Sequence, residues 1–292
     1  MKDCDAILLA AGKSKRLGFD KIMTPLAGKT ALEYSLNALI EAPSIQRIIL
    51  TTRKDLIDPI QKLTQNKKKP VDIIEGGIER QDSVFNGLQQ ATSKYVLIHD
   101  AARPLLTSSM IEKLLEQARK TSSAVCAQRA TDTVKRATEE GIVRETLNRS
   151  EIWLMKTPQV FERAMIAEAY AYIQKNKIQI TDDAAAVEQM GKPVHLVDVE
   201  SFNLKITRET DWKLIDLWLK QESLAEARKA VHAVCNQINP MIGYLPLLEK
   251  YGGDHAQFKD YLNKMKLSAA QLQALLPHLQ MIAKQISPDS PE

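Results

Sequence analysis

Residues 6–18 read AILLAAGKSKRLG and join a short apolar run to a loop that carries basic side chains. The apolar run is typical of a buried strand, and the small residues after it let a ligand approach the backbone closely. Exposed N–H groups and the cations Lys13, Lys15 and Arg16 suit a triphosphate, with Lys21 in the same loop. A solvated basic turn is the alternative. Neither a P-loop motif nor GxGxxG is present, which disfavours a P-loop kinase and a dinucleotide dehydrogenase.

Apolar runs alternate with helix-periodic segments over the first two thirds of the chain. We predict strands over 6–9, 47–52, 71–74, 95–99, 124–127 and 194–199. We predict helices over 31–39, 82–91, 109–120 and 163–174. Strands separated by helical crossovers indicate an α/β fold with a Rossmann-like, mostly parallel sheet and helices on both faces. Ligands of such sheets bind beyond the carboxyl ends of the strands.

Two segments depart from this alternation. Residues 131–153 are polar with extended-looking flanks around 133–135 and 143–147, which predicts a protruding β-arm. After residue 220 the chain becomes rich in Leu, Ala, Gln and Lys. We therefore expect one domain over 1–220 and a C-terminal helical extension of unknown role over 221–292, with three or four helices broken near Pro240 and at Gly252-Gly253.

Composition narrows the class of protein. The chain has 292 residues, 44% hydrophobic and 26% charged, with a net charge of +4. This mild excess does not favour a nucleic-acid partner but suits the binding of small anions. Three widely spaced cysteines argue against a disulfide framework and a zinc site. The sequence shows no signal peptide and no membrane-spanning run, so we expect a cytoplasmic protein without a membrane partner.

Two further segments carry candidate site residues. The apolar run that ends at residue 99 delivers Asp100 to the carboxyl end of a predicted strand, with Arg103 close by. A carboxylate there can hold a Mg²⁺ ion that bridges substrate phosphates, although it can also simply cap the next turn. The pair Gly76-Gly77 leads into a helix whose N-terminus, with Ser83, can receive a base edge or a phosphate. A plain strand-to-helix turn is the alternative.

Taken together, the motifs resemble the 2-C-methyl-D-erythritol 4-phosphate cytidylyltransferases of the non-mevalonate isoprenoid pathway, over roughly residues 5–220. HDAARP at 99–104 and TPQ at 157–159, in this order, are specific features. The other matching segments are Leu9-Ala10-Ala11-Gly12 with Arg16, Gly76-Gly77 with Glu79-Arg80 and Ser83-Val84, 132–136, Arg149 with Trp153, Thr181-Asp182-Asp183, and 203–207.

The resemblance implies a nucleotidyltransferase that uses CTP, a phosphorylated polyol and Mg²⁺, as a homodimer joined through the arm. It implies that Arg16, Lys21 and Lys205 are catalytic, stabilising the α-phosphate, and that Asp100 binds the metal. The implied nucleotide-binding residues are Ala10, Ala11, Gly12, Gly77, Ser83, Asp100 and Arg103. The implied acceptor-binding residues are Thr133 and Arg149, reaching across the dimer, with Thr157, Thr181 and Lys205.

Some positions depart from the family pattern. A second glycine is usual where Ser14 stands, and Pro-Lys-Gln is usual where this chain has Asp20-Lys21-Ile22. Ile78, Asp183 and Phe202 also differ, and Phe202 replaces an aspartate near the implied acceptor site. The sequence therefore does not determine the identity of the acceptor substrate. Alternatives are cytidylyl transfer to another polyol or sugar phosphate such as ribitol 5-phosphate, or an inactive nucleotide-binding or scaffold homologue.

Overall fold

The computed structural model describes residues 2–12, 14, 17–199, 203–250 and 255–286. The chain divides into two compact units. The first comprises Met1–Thr24 with Lys29–Asp211, and the second comprises Pro25–Gly28 with Trp212–Glu292.

The described part of the chain contains the following helices and strands. The strands are β1 Cys4–Ala10, β2 Pro25–Leu26, β3 Lys29–Thr30, β4 Ile45–Thr52, β5 Val71–Glu75, β6 Tyr95–Asp100, β7 Ser123–Arg129, β8 Lys135–Ala137, β9 Val143–Thr146, β10 Trp153–Glu162 and β11 Leu196–Asp198. The α-helices are α1 Ala31–Glu41, α2 Ile57–Thr64, α3 Arg80–Gln90, α4 Ser108–Thr121, α5 Arg163–Lys175, α6 Asp183–Glu188, α7 Glu209–Lys250 and α8 His255–Ile286.

The first unit is built on a seven-stranded sheet in the order β11-β7-β10-β6-β1-β4-β5. Strand β10 runs antiparallel to both of its neighbours, and the other strand pairs of this sheet are parallel. The predicted mostly parallel sheet is therefore confirmed. Strand β10 was missed because Lys156, Thr157 and Pro158 interrupt its apolar pattern, and an internal proline normally argues against a strand.

Alternating side chains of the central strands enter two separate apolar cores. Ala6 and Leu8 of β1 belong to a core that includes buried residues of α1, α2 and α4. Ile7, between them, belongs to the core that includes residues of α3, α5 and α6. This two-residue period buries both faces of the sheet and confirms the predicted helices on each side.

The sheet order places a switch point at β1. From β1 the chain passes to β4 and then β5 on one side, and β6 pairs with the other side of β1. Because these strands are parallel, their carboxyl ends, Ala10, Thr52 and Asp100, meet at one edge of the sheet. Small ligands of open α/β sheets bind at such a position.

The predicted arm is present. Strands β8 and β9 form an antiparallel pair in which every residue is exposed. The apolar side chains Ile142 and Val143, at the turn of this arm, are 67% and 57% exposed. These two side chains form an exposed apolar tip on the arm.

The second unit is largely helical, as predicted, but the expected number of helices was wrong. Helix α7 continues from Glu209 to Lys250 through Pro240 and Gly243, so the described part of the extension contains two long helices. A proline within a long helix removes one backbone hydrogen bond without ending the helix. The predicted break at Gly252-Gly253 lies outside the described residues. None of the helices within these described ranges is long and apolar enough to cross a membrane.

Helix α7 also passes through residue 220, where the composition of the sequence changes. That change is therefore not a break in secondary structure. The assignment of the domain boundary to residue 220 stays a prediction.

Candidate active site

Asp100, the last residue of β6, is the centre of a group of charged side chains. Its Oδ1 accepts a hydrogen bond from Nε of Arg80 at 3.1 Å, and its Oδ2 accepts one from Nζ of Lys205 at 2.7 Å. The other side of the Arg80 guanidinium binds both oxygens of Asp183 at 2.9 and 2.8 Å. We call these four residues the Asp100 cluster. A bidentate arginine–carboxylate pair fixes both position and orientation, so Arg80 is held firmly against Asp100.

The Asp100 cluster keeps the carboxylate of Asp100 ionised. Burial alone would raise the pKa of Asp100, but the positive charges of Arg80 and Lys205 outweigh it and hold the pKa well below its usual range. Burial alone would lower the pKa of Arg80, but the charges of Asp183 and Asp100 raise it well above its ordinary value. Asp100 and Arg80 therefore both stay charged at neutral pH. Lys205, whose side chain is 36% exposed, is the more accessible cation of the two.

Asp183 is fully buried at the start of helix α6 and is held from two directions. Besides the two bonds from Arg80, its Oδ1 accepts a 2.6 Å hydrogen bond from the hydroxyl of Tyr170. Gln159 ties the same helix to β10, because its Nε2 donates to Asp182 at 2.9 Å and its Oε1 accepts from the N–H of Ala184 at 3.0 Å. The sequence motifs at 157–159 and 181–183 are thus joined in space.

His99 and Thr157 connect the backbone around Asp100. Nε2 of His99 lies 3.2 Å from the carbonyl oxygen of Arg103, which can only accept, so this nitrogen carries the proton. Burial lowers the pKa of His99 to about 4, so the ring is neutral at pH 7 and Nδ1 is an acceptor. Nδ1 lies 3.0 Å from Oγ1 of Thr157, which also accepts the N–H of Asp100 at 3.1 Å. The threonine hydroxyl therefore donates to His99. His99 is a fully buried strand residue and positions the loop after β6.

The segment 203–206 runs beside the end of β6 and brings the two candidate lysines together. The N–H of Ile206 donates to the carbonyl oxygen of Ala102 at 2.8 Å, and Arg103 donates to the carbonyl of Asn203 at 2.8 Å. Lys205 lies between these contacts. Nζ of Lys21 donates to the carbonyl of Ile206 at 3.2 Å, so it reaches the residue next to Lys205.

Asp100 and Lys205 are therefore in direct contact, and Lys21 reaches the backbone of the residue that follows Lys205. The sequence interpretation depends on these three residues and on a fourth. The fourth, Arg16, lies outside the described residues, as do Lys13, Lys15 and Phe202. Arg103 is close to the group as well, since its N–H donates to the carbonyl oxygen of Asp100 at 3.0 Å. Its buried Nε has no hydrogen-bond partner within the described part of the chain. Fixed cations around an ionised carboxylate are suited to binding and orienting phosphate groups.

Three of the predicted nucleotide-binding residues lie close together at the ends of β1 and β5, namely Ala11, Gly77 and Ser83. A side chain on Gly76 would lie 2.6 Å from Cβ of Ala11 and 2.9 Å from Oγ of Ser83. The N–H of Gly77 donates to the same Oγ at 3.0 Å. Ala10 is buried at the end of β1, and Gly12 is exposed in the loop that follows. Two small residues therefore let the β1 loop and the start of α3 approach closely.

The predicted acceptor-binding residues are more scattered. The hydroxyl of Thr157 is buried and engaged as described above. Thr181 is exposed just before helix α6. Thr133 and Arg149 lie exposed at the arm, where the Arg149 guanidinium donates to the carbonyl of Thr131 at 2.9 Å. The roles of all the predicted site residues, in this group and in the others, stay predictions.

Sequence reasoning missed several residues that organise the site. Arg80 and Asp183 stand inside the matching motifs but received no role. The signal that could have found them is their place in these motifs, directly beside residues that were given roles or matched to the family. Tyr170 sits on the apolar face of helix α5 and has no such signal. Arg53, which follows β4, was also missed and is considered below.

The match to a known family agrees with this geometry. The family model described as 2-C-methyl-D-erythritol 4-phosphate cytidylyltransferase matches residues 4–221. This chain belongs to that family. The cytidylyltransferase of Haemophilus influenzae is 39% identical over 224 residues, which cover 75% of this chain and 97% of the relative. The enzyme of the same name from Dictyoglomus thermophilum is 37% identical over 228 residues, which cover 75% and 96%.

Solved structures of cytidylyltransferases share the fold. The 4-diphosphocytidyl-2C-methyl-D-erythritol synthase of Anaerococcus prevotii superposes with a TM-score of 0.69 at 28% identity, covering 75% of this chain and 99% of that one. The 2-C-methyl-D-erythritol 4-phosphate cytidylyltransferase of Thermus thermophilus gives 0.62 at 28% identity, covering 73% and 98%. The resemblance found in the sequence is thereby confirmed. Residues 222–292 lie outside the family match.

Proposed function

We propose that this chain transfers the cytidylyl unit of CTP to 2-C-methyl-D-erythritol 4-phosphate, giving 4-diphosphocytidyl-2-C-methyl-D-erythritol and pyrophosphate. The observation that carries the proposal is made at the carboxyl ends of the strands, where Lys205 binds the ionised Asp100 and Lys21 binds the backbone of the residue next to Lys205. This grouping occurs within the part of the chain that matches the family. The names of the relatives give the acceptor, 2-C-methyl-D-erythritol 4-phosphate, and the cytidylyl group that is transferred.

The reaction needs positioning and charge rather than a protein nucleophile. An oxygen of the acceptor phosphate, already anionic at neutral pH, attacks the α-phosphorus of CTP and forms a new P–O bond. The bond from that phosphorus to the oxygen bridging to the β-phosphate breaks, and pyrophosphate leaves with the electron pair. Lys21, Lys205 and Arg16 would hold the phosphates in line and stabilise the added negative charge. Cys126 is unsuited to act as a nucleophile, since burial raises the pKa of its thiol to about 11.

Asp100 is a suitable ligand for Mg²⁺. Among the described residues no group of three or more His, Cys, Asp or Glu side chains could hold a metal alone. Magnesium in phosphoryl-transfer sites commonly takes one or two carboxylates and completes its shell with water and substrate phosphates. Asp100 is ionised, and each of its oxygens retains a lone pair beyond the bond to Arg80 or Lys205. When bound, the metal would neutralise phosphate charge.

The acceptor is the part of the function that needs a direct test. Pyrophosphate release should be measured with CTP and a panel containing 2-C-methyl-D-erythritol 4-phosphate, ribitol 5-phosphate and a hexose phosphate, and then with the other nucleoside triphosphates. We expect the highest kcat/KM for CTP with methylerythritol phosphate. Preference for ribitol phosphate would replace the proposed acceptor. Tight CTP binding without turnover on any acceptor would instead indicate a nucleotide-binding homologue.

We also propose a homodimer in which the arm of one protomer completes the acceptor site of the other. The exposed apolar tip of the arm and the exposed position of Arg149 support this arrangement. Mixing the inactive variants Lys205→Ala and Arg149→Ala tests it, because the mixed dimer would contain one intact site. We expect the mixture to regain roughly a quarter of wild-type activity, as random pairing of a twofold dimer predicts. No recovery after confirmed subunit exchange would exclude sharing of the site.

A cytoplasmic location stays a prediction.

A further inference from the structure

Arg53 follows the carboxyl end of β4 and joins two separate points of the loop that follows β1. Its Nη1 donates to the carbonyl oxygen of Gly12 at 2.9 Å, and its Nη2 donates to Oδ2 of Asp20 at 2.6 Å. Gly12 lies near the start of this loop, and Asp20 directly precedes Lys21. One guanidinium thus joins two points of the loop that are eight residues apart.

Asp20 and Ser14 extend this link to the backbone on both sides of Lys21. Oδ1 of Asp20 accepts the N–H of Ile22 at 3.1 Å, and Oγ of Ser14 accepts the N–H of Lys21 at 3.2 Å. Ser14 has a φ of +51°, a left-handed conformation that normally favours glycine, so its side-chain hydrogen bond offsets some backbone strain. The two consecutive N–H groups are therefore fixed by side chains of the same loop.

Arg53 itself is occupied: Nε and Nη2 also bind Asp55 at 3.2 and 3.3 Å. With two carboxylates around it, Arg53 is better suited to holding the loop than to binding a phosphate.

We infer that Arg53 and Asp20 form a clamp that fixes Gly12 and Asp20 relative to each other and thereby places the Lys21 ammonium for the nucleotide. This inference rests on the proposed function. Arg53 and Asp20 are positioning residues, because they act through the backbone of the loop and through Lys21. A defect in the clamp should therefore affect the use of CTP and leave the affinity for the acceptor unchanged.

Steady-state kinetics of Arg53→Ala, Asp20→Ala and the double variant test the clamp. We expect each single change to lower kcat/KM for CTP by about 10- to 100-fold, the size of effect that a small misplacement of a catalytic group produces. The acceptor KM should stay at its wild-type value. The double variant should be no slower than the slower single variant, since both changes break one link. Arg53→Lys, which keeps the charge but cannot hold both acceptors, should fall between wild type and Arg53→Ala.

Arg119→Ala is the matched control. Arg119 is also a partly exposed arginine that binds a carboxylate through two N–H groups, those of Nε and Nη2 to Asp3, but it lies on helix α4 away from the loop. We expect its kcat/KM for CTP to equal that of wild type. Near-normal CTP kinetics in Arg53→Ala, or single effects that multiply in the double variant, would overturn the clamp.

Amide hydrogen exchange separates this inference from the proposed function. The peptide that covers residues 12–22 should exchange faster in Arg53→Ala and Asp20→Ala than in wild type and in Arg119→Ala, with or without catalytic activity. If wild type fails to release pyrophosphate with CTP, the proposed function is lost, and this measurement alone decides the clamp. Unchanged exchange in both loop variants would overturn it.

Discussion

Lys205→Ala provides the sharpest test of the proposed site. The lysine makes a 2.7 Å contact with Asp100, and its side chain is 36% exposed. Asp100 keeps its bond to Arg80 after the change, so no buried charge is left unpaired. Because the lost ion pair is partly exposed, we expect a loss of at most about 1 kcal/mol in the free energy of unfolding.

The effect on the reaction should be much larger. If Lys205 stabilises charge that develops on the phosphates, removing it should raise the barrier by about 3–4 kcal/mol, the value typical of one lost oxyanion donor. Since 1.36 kcal/mol is tenfold in rate, kcat should fall by roughly 10²- to 10³-fold. Thermal denaturation and pyrophosphate release, measured on the same preparation, separate the two effects.

Lys192→Ala is a matched control for this variant. Lys192 is 35% exposed and pairs with Glu168 at 2.5 Å, so the lost contact is similar but remote from Asp100. We expect its kcat to stay at the wild-type value. Turnover of Lys205→Ala within a fewfold of Lys192→Ala would refute the charge-stabilising role.

Two further predictions concern the residues that support the Asp100 cluster. Asp183→Asn should lower the free energy of unfolding by about 3 kcal/mol, because it breaks a buried ion pair with Arg80. Tyr170→Phe removes one hydrogen bond to Asp183 and should lower it by only about 1 kcal/mol. Equal losses for the two variants in chemical denaturation would contradict this order. His99 should make stability depend on pH, because its folded-state pKa of about 4 lies below the ordinary 6.5. Between these two values the unfolded chain binds a proton that the folded chain does not, so the free energy of unfolding falls as the pH drops from 6.5 to 4. The loss should be about 3 kcal/mol by pH 4 and absent in His99→Gln, when urea midpoints at several pH values are compared; the same slope in both proteins would exclude His99 as its source.

The mostly parallel sheet was predictable because its determinants are local. The apolar runs of β1, β4 and β6, and the helix-periodic segments between them, reveal their period within a few residues. The parallel topology then places Asp100 and the loop after β1 at the same edge without further information. Strand β10 escaped prediction because Thr157-Pro158 interrupts its local pattern, while its pairing with β6 and β7 depends on segments distant in the chain.

By itself, the sequence determined the class of fold, the family and the positions of Lys21, Asp100 and Lys205 in recognisable motifs. Only the tertiary structure decided which charges meet. Arg80 and Asp183 are 103 residues apart, Asp100 and Lys205 are 105 apart, and Lys21 reaches the carbonyl of Ile206 across 185. No local period encodes such pairs, because an ion pair forms only after the packing of the sheet and its helices has fixed both backbones. The role of Arg53 could not be predicted for the same reason. Nothing in the sequence distinguishes it from a surface arginine, and only the pairing of β4 with β1 brings it to the loop after β1.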